Sequence, residues 1–298
     1  MSKVVEVRNL TKSYGSVMAV NQVSFSIEAG KIYGLLGRNG AGKTTIMQII
    51  TAQLFAASGE VKVFGEHPYE NSRVLSQVCF VKDSQKYPNN YRVIDVLEQA
   101  AFFFPGWDRE YAFALIEDFR LPLKRRMKAL SRGMLSTVGI IVGLASRAPL
   151  TIFDEPYLGL DAVARGIFYD RLLEDYAEHP RTVILSTHLI DDISRLLEHI
   201  FVIDQGRLVL DEEAEALRGR AFAVVGPAAR VDAYTADKEL LEREPLGGLV
   251  SATVMGSGDA KDRQQAEALG LELVPVSLQQ LIVHLTGGKY ERKAVEVR

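Results

Sequence analysis

The sequence predicts an α/β core followed by a smaller α+β domain, on three observations. Apolar strand patterns and helix-period segments alternate over most of the chain, the run IYGLLG passes through a glycine-rich stretch into the apolar face IMQII, and the pattern becomes less explicit past Leu217. Bulk agrees: 298 residues suit about two domains, and 47% hydrophobic with 24% charged residues supplies large cores. With 35 basic and 38 acidic residues the formal charge is −3, so no general attraction to nucleic acid or anionic lipid is expected. Cys79 is the single cysteine, which excludes an intrachain disulfide and any metal site built on several thiolates. It reads as a small hydrophobe beside Val78 and Phe80.

In chain order, VVEV and VSFSI read as strands, with KSYGS and MAVNQ as turns between them. IYGLLG, GRNGAGKTT and IMQIITAQLF form a strand, loop and helix in succession. VKVFG and VLSQVCFV are further strands, joined through the irregular PYENS and followed by KDSQKYPNN. From about Val93 to Ala148 the period is helical, broken at FPGWD and LPLKRR. Then come the buried strand of LTIFDEP, the helix of RGIFYDRLLEDY, the strand TVILS, the helix LIDDISRLLEHI and a hairpin of FVIDQG with RLVLD. VDAYTA, LVSATVMG, the helical AKDRQQAEALG, LELVPVS and a last helix near LQQLIVHLTGG make the smaller domain. MSKVVEVRNL lacks the apolar region of a secretory signal, and no apolar helix approaches the roughly 20 residues of a membrane span. Any crossing of a bilayer is therefore expected of another molecule.

The first chemistry lies in GRNGAGKTT. Gly37, Gly42, Lys43 and Thr44 fit the spacing G-x-x-x-x-G-K-[ST], with Asn39 and Gly40 inside the loop. Small residues let backbone N–H groups curve around a phosphate, and the following helix adds its positive end. Lys43 is suited to reach the outer phosphates, Thr44 to place a hydroxyl on magnesium, and Thr45 to cap or support the cradle. A nucleoside triphosphate is the inferred ligand.

LTIFDEP supplies the second cluster. Asp154 ends an apolar strand, where its carboxylate is suited to hold a magnesium-water shell. Glu155 follows at once, and alternation turns it toward another part of the same phosphate, to orient an attacking water and accept its proton.

The order of motifs from Val4 to Asp211 resembles the ATP-binding subunits of ATP-binding cassette (ABC) transporters, particularly bacterial two-domain ones. GRNGAGKTT resembles their phosphate loop, LSRGM their LSGGQ-like signature, TIFDEP their magnesium-site strand, YLGLD their D-loop and STH their switch-histidine segment. The resemblance implies a P-loop ABC ATPase core, residues 1–217, with an antiparallel β subdomain and a helical insert at about 88–148, and a small accessory or regulatory α+β domain at 218–298. It also implies a nucleotide sandwich in which ATP lies between one cassette's phosphate loop and the signature of a second, the same or a related chain.

Residue by residue, the resemblance makes Glu155, His188 and Lys43 catalytic, His188 as the switch that contacts the terminal phosphate. Ser131 and Gly133 of LSRGM become a second anion grip, although Arg132 and Met134 depart from the family's glycine and glutamine. Without the family context LSRGM reads equally as a helix start. Tyr14 resembles the adenine-stacking aromatic, or packs at a strand end. Asp83 aligns with the Q-loop residue that helps hold the metal-bound water, with Gln85 as the alternative two positions on. Asp161 of YLGLD either connects the two sites of a dimer or is a simple loop carboxylate. The implied cofactors are ATP and Mg2+, and the implied partner is a separate transmembrane permease. AFFFPGW either docks against that partner or packs in a core. The chain is accordingly expected on the cytoplasmic face of the membrane, held there through its partner. A soluble ABC-like mechanoenzyme and a nucleotide-dependent regulatory module remain as alternatives.

Overall fold

The computed structural model describes residues 2–83, 85–187 and 189–285. It divides into two compact units, Met1–His188 with Leu196–Asp211, and Leu189–Arg195 with Glu212–Arg298.

The first unit opens with two twelve-residue strands, β1 (Lys3–Tyr14) and β2 (Val17–Glu28), followed by β3 (Ile32–Leu36), α1 (Lys43–Ile50), β4 (Ser58–Val63), α2 (Ser72–Leu75) and β5 (Val78–Lys82). The helical insert contains α3 (Val93–Phe103), α4 (Arg109–Asp118) and α5 (Arg132–Ala145). Next along the chain come β6 (Leu150–Asp154), α6 (Ala162–Glu178) and β7 (Thr182–Thr187), then the short α7 (Ile190–Ile193), which belongs to the second unit, and β8 (His199–Asp204) and β9 (Arg207–Glu213).

β1 pairs antiparallel with β2 and β4, giving the antiparallel subdomain that the resemblance implies. The other six strands form one sheet in the order β5-β6-β7-β3-β8-β9, with parallel pairing from β5 through β8. β3, β6 and β7 are buried at every position, as strands covered on both faces must be. A single apolar cluster fills the space between the two sheets and α1: Leu10 and Ile27 from the antiparallel sheet, Ile46 and Met47 from the helix, Ile152 and Phe201 from the parallel one. Each such side chain contributes about 1.5–3 kcal/mol when fully buried. α5 carries Val138, Ile140, Ile141 and Leu144 at no exposure, the apolar face that seats the insert.

The segments MAVNQ and most of KSYGS are not turns: they lie inside β1 and β2, and only Gly15 and Ser16 turn the chain. Asn9 and Gln22 sit at φ of 48° and 51° beside register shifts, and such bulges erase the two-residue alternation that marks a strand. VLSQVCFV is also divided, its first residues closing α2 and the strand beginning at Val78. LIDDISRLLEHI forms one helical turn only, because His199 already pairs with Tyr33 of β3.

The second unit adds α8 (Ala214–Leu217), β10 (Ala221–Gly226), α9 (Ala228–Thr235), β11 (Leu240–Leu246), β12 (Leu249–Met255), α10 (Ala260–Ala268) and β13 (Glu272–Pro275), with residues 278–285 helical. Its sheet runs β11-β12-β10-β13, all antiparallel, the β-α-β-β-α-β arrangement of a ferredoxin-like domain. Phe222, Val224, Val231, Ala252, Val254 and Ala266 form its core. VDAYTA falls at the end of α9, with Ala236 as its C-cap. The last helix near LQQLIVHLTGG is described over residues 278–285, and the rest of that segment lies outside the described residues.

Candidate nucleotide site

Parallel register builds the site. Lys82 pairs with Asp154, Asp154 with Ser186, and Leu36 with Thr187, so β5, β6, β7 and β3 end along one edge of the sheet. The carboxyl edge of an open parallel sheet is where ligands of such folds bind.

The loop from Gly37 to Gly42 follows β3 and closes onto α1. Gly37 has φ of 146°, and a Cβ there would stand 2.2 Å from the Ile203 carbonyl oxygen. Gly42 caps α1 at φ of 111°, and its Cβ would meet the Ala19 carbonyl oxygen at 2.4 Å. Neither position admits a side chain, by conformation or by space.

Lys43 is 6% exposed. Its Nζ donates to the carbonyls of Gly37 at 2.7 Å and Arg38 at 3.2 Å, and lies 3.6 Å from Oε1 of Glu155. The Thr44 hydroxyl donates to Oδ2 of Asp154 at 2.7 Å. Burial pushes the Asp154 carboxyl above its ordinary value, opposed by the Thr44 hydroxyl. Residues 39–45, with Ala19, Asp154 and Glu155, line a cavity of about 180 Å³. The structure thus brings Asn39, Gly40, Gly42, Lys43, Thr44, Thr45, Asp154 and Glu155 around one space.

These residues fit a magnesium-bound phosphate. Oδ1 of Asp154 is buried and has no hydrogen-bond partner among the described residues, and Thr44 adds a second hard oxygen. No group of three or more His, Cys, Asp or Glu capable of holding a metal occurs among the described residues.

The other expected residues are distributed around this centre. Tyr14 ends β1 half-exposed, with the Lys12 ammonium 5.5 Å from its ring centroid. Ser131 caps α5 by accepting from the Met134 N–H at 3.3 Å, and a Cβ on Gly133 would lie 2.4 Å from the Gly159 carbonyl oxygen. The signature start therefore abuts the loop after β6. Asp161 caps α6, accepting from the Ala164 N–H at 2.8 Å. Asp83 donates its backbone N–H to the Asp154 carbonyl at 3.0 Å, while its carboxylate accepts from Arg132. Gln85 lines a different, apolar cavity of about 280 Å³ with Cys79, Tyr87 and Phe103. His188 lies outside the described residues.

Two partnerships escape sequence reasoning. Tyr157, 3% exposed, donates its hydroxyl to Oε2 of Glu155 and contacts the Thr187 hydroxyl. The available signal is an aromatic residue two positions after the acid that directly follows a buried strand. The ion pair of Arg132 with Asp83 joins the start of α5 to the loop after β5, and the opposite charges of the two residues are the signal.

Comparison with known proteins agrees with this geometry. The family described as ABC transporter matches residues 20–158. The chain is 32% identical over 223 residues to the bacitracin transport ATP-binding protein BcrA of Enterococcus faecalis, covering 74% of this chain and 72% of that protein. It is 25% identical over 295 residues to the ABC transporter ATP-binding protein YtrB of Bacillus subtilis (strain 168), covering 96% and 99%. A solved ATP-binding subunit of an ABC transporter superposes with a TM-score of 0.65 at 25% identity, over 72% of this chain and 91% of that one. The chain belongs to the ABC transporter family, as an ATP-hydrolysing, ATP-binding cassette subunit.

Proposed function

We propose that this subunit hydrolyses magnesium-ATP in a cassette dimer and passes the resulting motion to a separate membrane-spanning permease. The observation that carries the reading is the convergence of Lys43, Thr44, Asp154 and Glu155 on one glycine-walled cavity.

Lys43 and the loop N–H groups hold the outer phosphates, and Thr44 with Asp154 would hold magnesium. Magnesium, when bound, supplies neutralisation of charge on those phosphates. Glu155 orients water for in-line attack and accepts its proton, and His188 contacts the terminal phosphate. Ser131 and Gly133 grip the nucleotide held by the opposing cassette, and Tyr14 stacks on its own adenine. The helix start that Ser131 caps supports an anion-binding role. Asp83 acts from the loop after β5. Asp161 supports the dimer's D-loop through its cap on α6.

Phe102 and Phe103 project from α3 at 82% and 63% exposure, beside the apolar cavity lined by Phe103 and Gln85. Exposed paired aromatics of this kind support a docking role for the insert. Among the described residues no helix is long and apolar enough to cross a membrane. The likeness to ATP-binding subunits of ABC transporters supports peripheral attachment at the cytoplasmic face through the permease. The near full-length match to YtrB supports an accessory role for the domain at 218–298, as part of the same kind of subunit.

The test is gentle solubilisation of membranes with the tagged subunit, followed by identification of its direct partner and assay of ATP turnover with and without it. A multispanning membrane protein that stimulates magnesium-dependent hydrolysis supports the reading. A ribosomal or DNA-bound partner contradicts it.

A further inference from the structure

We propose that Tyr157 is a positioning residue for hydrolysis, holding the Glu155 carboxylate at the angle from which it addresses water. The proposal rests on the reading of Glu155 as the water-orienting base.

The chain reverses sharply at this point. Glu155 takes a left-handed φ of 50° at the end of β6, and its N–H donates to the Ser186 carbonyl at 3.1 Å. The Leu158 N–H returns to the Glu155 carbonyl at 3.2 Å, closing a turn over residues 155–158. That turn swings the Tyr157 ring inward, and its hydroxyl meets Oε2 of Glu155 and the Thr187 hydroxyl on β7. All three residues are buried, at 8%, 3% and 0% exposure for Glu155, Tyr157 and Thr187.

The two carboxylate oxygens of Glu155 consequently face different groups. Oε1 faces the Lys43 ammonium at 3.6 Å, and Oε2 takes the phenol hydroxyl. The outer torsion of a glutamate is broad, so its angle is set by what the two oxygens bind. With the phenol gone, the attraction of Lys43 acts on the carboxylate without that counterpart. A group displaced by about 1 Å from its reacting geometry can lose on the order of 100-fold in rate. Tyr157 also ties Glu155 to Thr187 at the end of β7.

The test is Tyr157→Phe, which keeps the ring and removes the hydroxyl, measured for kcat and KM of ATP hydrolysis and for unfolding temperature. The same substitution is made in a Glu155→Gln background, with turnover followed over long times. The expected result is a fall in kcat of about 10- to 100-fold with KM for ATP changed less than about 2-fold. In the Glu155→Gln background Tyr157→Phe should alter the residual rate less than about 2-fold, because its effect runs through the carboxylate. Thr187→Val, which removes the second partner of the phenol, should lower kcat in the same direction by a smaller factor. A Tyr157→Phe kcat equal to or above the parent's overturns the assignment, as does a loss that multiplies fully with that of Glu155→Gln. If Glu155→Gln slows turnover and Tyr157→Phe does not, only the Tyr157 assignment fails. If Glu155→Gln itself leaves turnover unchanged, the underlying reading fails with it.

Discussion

Arg132 and Asp83 are bound to each other: one guanidinium nitrogen donates to both carboxylate oxygens, at 2.9 and 3.0 Å. Arg132 stands inside LSRGM where the resembled signature has glycine, and Asp83 is the proposed Q-loop residue, with Gln85 as the alternative. The pair links the start of α5 to the loop after β5. Side-chain exposures of 66% and 28% mean that solvent screens it. A double-mutant cycle of Arg132→Met and Asp83→Asn, read by thermal unfolding, should give a coupling of about 0.2–1 kcal/mol that shrinks with added salt. No coupling at low salt would mean the pair does not form in solution.

Gly37→Ala should be far more damaging than Gly40→Ala. At Gly37 the new methyl meets the Ile203 carbonyl, whereas at Gly40, with φ of 82°, nothing lies within 4 Å. Gly40→Ala is strained by conformation alone, at about 1–2 kcal/mol, while Gly37→Ala adds overpacking of about 1–3 kcal/mol and displaces the loop. Unfolding temperature and binding of a fluorescent ATP analogue check the order, and equal effects would contradict the loop geometry.

Thr44→Val keeps side-chain volume and removes the hydroxyl that donates to Asp154 at 2.7 Å. The magnesium concentration needed for half-maximal ATP turnover should rise about 10-fold or more, with analogue binding in the absence of magnesium little changed. Unaltered magnesium dependence would remove Thr44 from the metal site.

Cys79 lies on β5 at 2% exposure, and burial pushes its thiol up to about 12. At pH 8 the buried thiol should stay protonated and shielded, so iodoacetamide should leave the native protein unlabelled and react promptly in denaturant. Prompt native labelling, followed by mass spectrometry, would show that β5 opens on the labelling timescale.

The site was legible in the sequence where chemistry dictates spacing. A phosphate cradle needs glycines at Gly37 and Gly42 and a lysine directly after, and the flanking strand and helix are short, apolar and unbroken. Length and register were less legible. Bulges at Asn9 and Gln22 hid two long strands, and a helical period in LIDDISRLLEHI gave way to the pairing of His199 with Tyr33. β11, with the pattern LLEREPL, is exposed at nearly every position and carries no alternation to read; only its pairing with β12 makes it a strand. Tyr157 on Glu155 and Arg132 on Asp83 are contacts between side chains, which spacing along the chain does not encode.

The measurement that tests the account most directly is ATP turnover and nucleotide binding of Glu155→Gln. An amide fills the space of the carboxylate but is a poor proton acceptor, so binding should stay within about 2-fold of the parent while turnover falls about 100- to 10,000-fold. Turnover at the parent's rate, in a folded variant that binds ATP, would contradict it.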